Sequence, residues 1–173
     1  MDKILSEFVC KKLYYKHICE DSKICRIGKN TRIVELPKWV NNTKLVCKVD
    51  EKIKGRMKKG LVLIDKTIED CLEWVKNIEH EWFILEPYYQ IKQENYLMIR
   101  FGEDSDEIFY STSGGIDFND IESCKQEKID PIEKKINYNN LGIDDTNLIK
   151  TIEALYGFYN KYHLFFMEIN PLI

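Results

Sequence analysis

The sequence has no Cys-x-x-Cys pair, no apolar run longer than a few residues, and a single alanine, Ala154, in 173 positions. Proline (4) and glycine (8) are too sparse for a fibrous or linker-rich chain. The longest apolar stretches, Leu61 to Ile64 and Leu164 to Met167, fall far short of the ~20 residues a membrane helix needs, and they suit buried strands instead. Neither sign of charge dominates: 26 basic against 29 acidic residues give a net charge of −3 and a pI near 5.7. No broad positive field awaits a nucleic-acid backbone or an anionic membrane, so neither is expected as a partner. His17, His80 and His163 stand apart and pair with no cysteine at metal spacing, which argues against a zinc site. The six cysteines (Cys10, Cys19, Cys25, Cys47, Cys71, Cys124) are scattered, and no apolar signal core follows Met1, so the expected address is the cytoplasm.

What is present is an ordinary globular composition: 44% hydrophobic, 32% charged, with mean hydropathy −0.40. A chain of this length removes roughly 68–70% of its extended surface from water, enough for one domain or two small lobes. The segment Ile4, Leu5, Phe8, Val9, Leu13 repeats at helical spacing and predicts a helix packed by one face. Asp21 to Asn30 reads as a polar loop, and Arg32 to Leu36 as a short strand stopped by Pro37. Lys44 to Lys48 and Gly60 to Ile64 read as strands flanking a basic connection. Thr67 with Asp70 resembles a capping box opening a helix through Ile68, Cys71, Leu72, Val75 and Ile78. Trp82 to Leu85 reads as a buried strand, with Pro87 ending regular pairing.

Tyr96 to Phe101 and Glu107 to Tyr110 predict a hairpin closed by the acidic turn Gly102 to Asp106. The spacing leaves Asp120 to Asn140 as a long surface loop or a frayed short helix. Asp144 or Thr146 is expected to cap a last helix bearing Leu148, Ile149, Ile152, Leu155, Tyr156 and Tyr159, and Leu164 to Ile169 returns as a strand.

Three places carry oxygen or cationic groups in suggestive patterns. Between Lys48 and Gly60, Lys52, Lys54, Arg56, Lys58 and Lys59 surround Gly55, so cations and backbone amides can approach an anion such as phosphate; a solvated basic surface run is the competing reading. The P-loop pattern and the glycine-rich dinucleotide fingerprint are both missing. Glu86, at a strand end, and Glu94 can accept hydrogen bonds from an amino group or sugar hydroxyls, or simply solvate a loop. Glu168-Ile-Asn170 sets two oxygen-bearing side chains on one side of a strand, a pattern that suits Mg²⁺ or only a strand ending in a turn.

In order and spacing, Lys44-Leu-Val-Cys-Lys48, Gly55-Arg-Met-Lys-Lys-Gly-Leu-Val62, Phe83-Ile-Leu-Glu-Pro87, Gln93-Glu-Asn-Tyr96, Gly114-Gly-Ile-Asp117 and Glu168-Ile-Asn-Pro-Leu172 resemble the ATP-grasp region of the ATP-citrate lyase and citryl-CoA synthetase family. The succinyl-CoA synthetase β subunit is a more distant relative. The resemblance implies a mixed α/β (α+β), ATP-grasp-like fold of two lobes with a nucleotide cleft between them. Residues 18–86 would form the small lobe, and 1–17 with 87–173 the second, incomplete at its C-terminal end. It also implies that Lys48 and Arg56 hold phosphates, Glu86 and its neighbours meet adenine, and Glu94 meets the ribose. Gly114 and Gly115 would let backbone approach the site, and Asn170 would help hold Mg²⁺. ATP and Mg²⁺ are the implied cofactors.

Departures accompany the likeness. The family's next strand, with a metal-binding aspartate, and its citrate, CoA and phosphohistidine regions have no counterpart within these residues, and Ser113 stands where relatives often carry Glu or His. The chain alone is therefore expected to be incomplete for ATP-dependent citrate activation and to need a protein partner or C-terminal subunit. The alternative is a catalytically degenerate module that acts by binding a protein partner.

Overall fold

The computed structural model describes residues 4–115 and 120–173, and the chain divides into two compact units, Met1–Gln90 and Ile91–Ile173. Both units are mixed α/β, each built on one four-stranded, wholly antiparallel sheet, as the α+β expectation required. No helix among the described residues is long and apolar enough to cross a membrane.

In the first unit the elements are α1 (Glu7–His17), β1 (Cys25–Ile27), β2 (Leu45–Val49), β3 (Val62–Lys66), α2 (Ile68–Asn77) and β4 (Phe83–Pro87), with the sheet ordered β1-β4-β2-β3. Strands β3 and β4 flank β2 and both run antiparallel to it, so α2 carries the chain across one face of the sheet. Alternation along β2 buries Leu45, Cys47 and Val49 completely, and these pack with Ile27, Phe83 and Leu85 of the neighbouring strands and Ile68, Cys71 and Val75 of α2. Helix α2 begins where the sequence predicts: Thr67 Oγ1 accepts from Asp70 N (3.3 Å) and Asp70 Oδ2 from Thr67 N (3.1 Å).

The other face of this sheet presents Arg26, Ile84, Glu86, Val46 and Lys48, by the pairing Arg26↔Ile84, Lys48↔Ile84 and Val46↔Glu86. Helix α1 falls within the compact unit Met1–Gln90. None of its residues is fully buried, and Ile4 is 68% exposed. Polar contacts help hold it to the sheet. Buried Asp50 accepts from the Ser6 hydroxyl (2.9 Å), from the otherwise unpaired Phe8 N–H (3.2 Å) and from Arg26 (2.8 Å), so a carboxylate distant in sequence helps cap the helix. The Arg26 guanidinium also lies over the rings of Trp82 (4.8 Å) and Phe8 (5.7 Å).

Three local expectations fail in this unit. Arg32 to Leu36 is not a strand: Ile33–Glu35 form a 3₁₀ turn, with Arg32 and Glu35 bonded across it. The polar stretch 21–30 holds β1, whose three residues borrow their order from pairing with β4. Pro87 does not end the pairing, since it still lies opposite Leu45.

The second unit comprises β5 (Asn95–Phe101), β6 (Asp106–Ser111), β7 (Lys125–Ile129), α3 (Tyr138–Leu141), α4 (Thr146–Lys161) and β8 (Phe166–Leu172), with sheet order β7-β6-β5-β8. The hairpin forms in register, from Tyr96↔Ser111 to Phe101↔Asp106, closed by Gly102 N donating to Ser105 O (2.8 Å). The segment 120–140, expected to be loop or frayed helix, contains β7 and α3. Strand β7 pairs fully with β6, and Glu127 anchors the start of α3 by accepting from Asn140 Nδ2 (2.6 Å) and Asn137 N (3.3 Å). The cap of α4 is Asp145, not Asp144 or Thr146; its carboxylate accepts from Asn147 N and Leu148 N.

Candidate functional site

The predicted cations Lys48 and Arg56 converge on a carboxylate that sequence reasoning did not single out. Glu7, in the first turn of α1, contacts Lys48 Nζ at 2.5 Å and Lys11 Nζ at 3.0 Å through Oε1, and Arg56 Nη2 at 2.6 Å through Oε2. Glu86 supplies a second carboxylate, with Oε2 2.7 Å from Lys48 and Oε1 2.6 Å from Lys11. Lys48 on β2 and Glu86 on β4 are diagonal neighbours on the face turned away from the apolar core, which is why the sheet brings them together. Arg56 reaches in from the connection between β2 and β3, where Nη1 donates to Val49 O (2.6 Å) and its own carbonyl accepts from Leu61 N.

The result is a mostly buried cluster of three cations and two carboxylates. Burial pushes the Glu7 carboxyl up, but Lys48, Lys11 and Arg56 outweigh it and hold it far below the ordinary glutamate range. Glu86 behaves alike: burial raises it, and Lys48 and Lys11 bring it below its usual value. Burial would lower the Lys11 ammonium, yet Glu7 and Glu86 raise it above the ordinary lysine range. Glu7, Glu86 and Lys11 are thus held in their charged forms, and three basic side chains against two carboxylates give the cluster a formal charge of +1. The signal for Glu7 and Lys11 was their i,i+4 spacing on the polar side of the first helix.

In the second unit, Glu94, Gly114, Gly115 and Asn170 gather at the end of β5. Strand β8 carries two residues, Asn170 and Pro171, opposite the single Tyr96, because Asn95 pairs with Leu172 and Leu97 with Ile169. This bulge on an edge strand suits a proline, which has no N–H to give, and it turns Asn170 toward the glycine pair. Gly115 N donates to Asn170 Oδ1 (2.5 Å), and Asn170 Nδ2 donates back to Gly115 O (3.1 Å). Gly114 N donates to Glu94 O (2.7 Å). Both glycines are required here: a Cβ on Gly114 would lie 2.4 Å from Asn95 O, and one on Gly115, at φ +89°, would meet the Glu94 carboxylate. Ile116 and Asp117 of the same motif lie outside the described residues.

The structure therefore brings the predicted residues together in two groups, Lys48, Arg56 and Glu86 in one unit and Glu94, Gly114, Gly115 and Asn170 in the other. Among the described residues no three His, Cys, Asp or Glu side chains gather as a metal cage, and the Asn170 amide already makes two bonds to Gly115.

Known proteins show the same plan. ATP-citrate synthase of Homo sapiens is 28% identical over 203 aligned positions, which cover 99% of this chain and 18% of that protein. The Bos taurus enzyme is 27% identical over 99% of this chain and 19% of its own length. The chain is similar to ATP-citrate lyase over nearly its whole length. The solved structure of ATP citrate lyase from Methanothrix soehngenii, in complex with citrate and coenzyme A, superimposes with a TM-score of 0.79 at 25% identity, covering 96% of this chain and 46% of that one. The probable ATP-citrate synthase subunit 2 of Schizosaccharomyces pombe matches 78% of this chain at 27% identity and 32% of its own length. The chain thus spans less than a fifth of the mammalian relatives and about a third of the yeast subunit. No protein-family model matches it.

Proposed function

We propose that this chain is the ATP-grasp-like, ATP-binding region of an ATP-citrate lyase-type acyl-CoA synthetase, incomplete by itself for the overall reaction. The observation that carries the reading is the convergence of Lys11, Lys48 and Arg56 from a helix, a strand and a loop onto one spot with a surplus of positive charge. Phosphoryl transfer asks little covalent chemistry of a protein and much electrostatic positioning, which is what such a cluster supplies. In this reading Lys48 and Arg56 take the phosphates of Mg·ATP, with Mg²⁺ entering as part of the substrate. The backbone after Glu86 meets the adenine, Glu94 the ribose, and the Gly115–Asn170 pair holds backbone amides at fixed positions. The Glu86 carboxylate serves to hold Lys48 and Lys11. A partner chain or further segment supplies the acyl and CoA sites, and the six unpaired cysteines suit a reducing cytoplasm.

The test is thermal unfolding with Mg·ATP. A ligand at 100 times its Kd adds ~2.7 kcal/mol, a shift of several degrees for a body of this size. Lys48→Ala should abolish the shift relative to its own ligand-free midpoint. No shift at millimolar Mg·ATP rejects the reading. A shift with no phosphoryl transfer even when a partner chain supplies the citrate, CoA and phosphohistidine regions favours the degenerate, partner-binding module, a reading supported by the saturation of these cations by Glu7 and Glu86.

A further inference from the structure

We infer that Glu7 is a displaceable internal anion: its carboxylate occupies the place on Lys48 and Arg56 that a phosphate group takes, and it thereby sets how tightly the chain binds polyphosphates. The inference rests on the phosphate-binding reading above and adds to it the residue that controls affinity.

Three observations carry it. Glu7 uses both oxygens as a phosphate would, one toward the point charge of Lys48 and the other toward the Arg56 guanidinium. It reaches them from a helix that shows no fully buried residue and whose first turn is tied to the sheet by Ser6 and the Phe8 N–H on Asp50, so letting Glu7 go withdraws no fully buried side chain of the helix. Finally, neither cation depends on Glu7 for its position: Lys48 keeps Glu86 at 2.7 Å, and Arg56 keeps the Val49 carbonyl at 2.6 Å.

These second anchors decide the sign. Were Glu7 the sole anchor, its removal would scatter the cations and weaken anion binding. With another anchor on each, removal chiefly lifts a like charge from the path of the incoming phosphate and takes the cluster from one net positive charge to two. A like charge within hydrogen-bonding range opposes an anion by roughly one to three powers of ten. The carboxyl is held ionised at neutral pH, so only a competing anion or a substitution relieves it.

The experiment titrates the whole chain and its Glu7→Gln variant with inorganic tripolyphosphate and with Mg·ATP, by calorimetry, at fixed salt. The variant should bind both at least tenfold more tightly. Equal or weaker binding by a folded variant overturns the inference and makes Glu7 a positioning residue, while leaving the phosphate-binding reading in place. Absence of binding by both proteins at millimolar ligand rejects the reading itself, and the inference with it. Should the variant fold poorly, amide hydrogen exchange on the unaltered chain decides the matter. Tripolyphosphate should speed exchange in the first turns of α1 as Glu7 is released; slowed exchange there would show Glu7 retained and overturn the inference.

Discussion

Lys48 Nζ lies between two carboxylates, 2.5 Å from Glu7 Oε1 and 2.7 Å from Glu86 Oε2, and so joins the first helix to two strands of the sheet. Lys48→Ala leaves both carboxylates short of a partner in a half-dry setting and should cost about 1–3 kcal/mol, read as a lower urea midpoint with an unchanged slope. An unaltered midpoint would mean that water replaces the ammonium without loss.

Acid should unfold the first unit through these same carboxylates. Glu7 and Glu86 titrate lower when folded than when unfolded, so their contribution is complete above the ordinary glutamate value of about 4.3 and is lost as pH falls toward their folded values. Lys11 has the opposite sign: its raised pKa contributes fully below the ordinary lysine value and is lost only as pH rises past it. Stability measured from pH 7 to pH 3 should therefore fall less steeply in Glu86→Gln than in the unaltered chain. Parallel acid limbs would contradict this.

Asp50 caps α1 from a distance and neutralises Arg26. Asp50→Ala removes both roles, leaves the guanidinium between Trp82 and Phe8 without its counter-ion, and should cost about 2–3 kcal/mol. Faster amide exchange at the start of α1 than in α2 would locate the damage.

The glycines should sort by surroundings. Gly114→Ala drives a methyl into the Asn95 carbonyl, a backbone atom that cannot rotate away, and should destabilise the second unit severely. Gly55→Ala, at φ +66° with nothing within 4 Å, meets only backbone strain, of order 1 kcal/mol. Thermal midpoints of the two variants give the comparison, and equal losses would refute it.

In Asn170→Ala the Gly115 N–H and C=O both lose a partner, an expected cost of about 1–3 kcal/mol. Asn170→Asp keeps an acceptor for the N–H but sets an oxygen against Gly115 O, so its loss of stability relative to the unaltered chain should be smaller at acid pH, where the carboxyl can donate, than at neutral pH. Chemical denaturation of both proteins at both pH values checks the difference.

What could be read from the letters was whatever a short window holds. The period of α2 and its Thr67–Asp70 box, the β5–β6 hairpin, and the alternation of Leu45, Cys47 and Val49 are local patterns, and the backbone follows them. The motifs around Lys48 and Glu86, and around Gly114 and Asn170, likewise marked segments that each sheet brings side by side. Strands β1 and β7 left no such trace, since their residues are polar or few and their order comes from a partner strand.

Sequence by itself determined the element types where propensity and periodicity agree, and with them the mixed α/β character. Only the tertiary structure decided which charges meet. Ion pairing in a partly dry cluster depends on distances of a few ångströms between segments remote in the chain, and no spacing rule encodes those. Thus Glu7, which no sequence pattern singled out, sits on the very cations to which the family resemblance assigns phosphate.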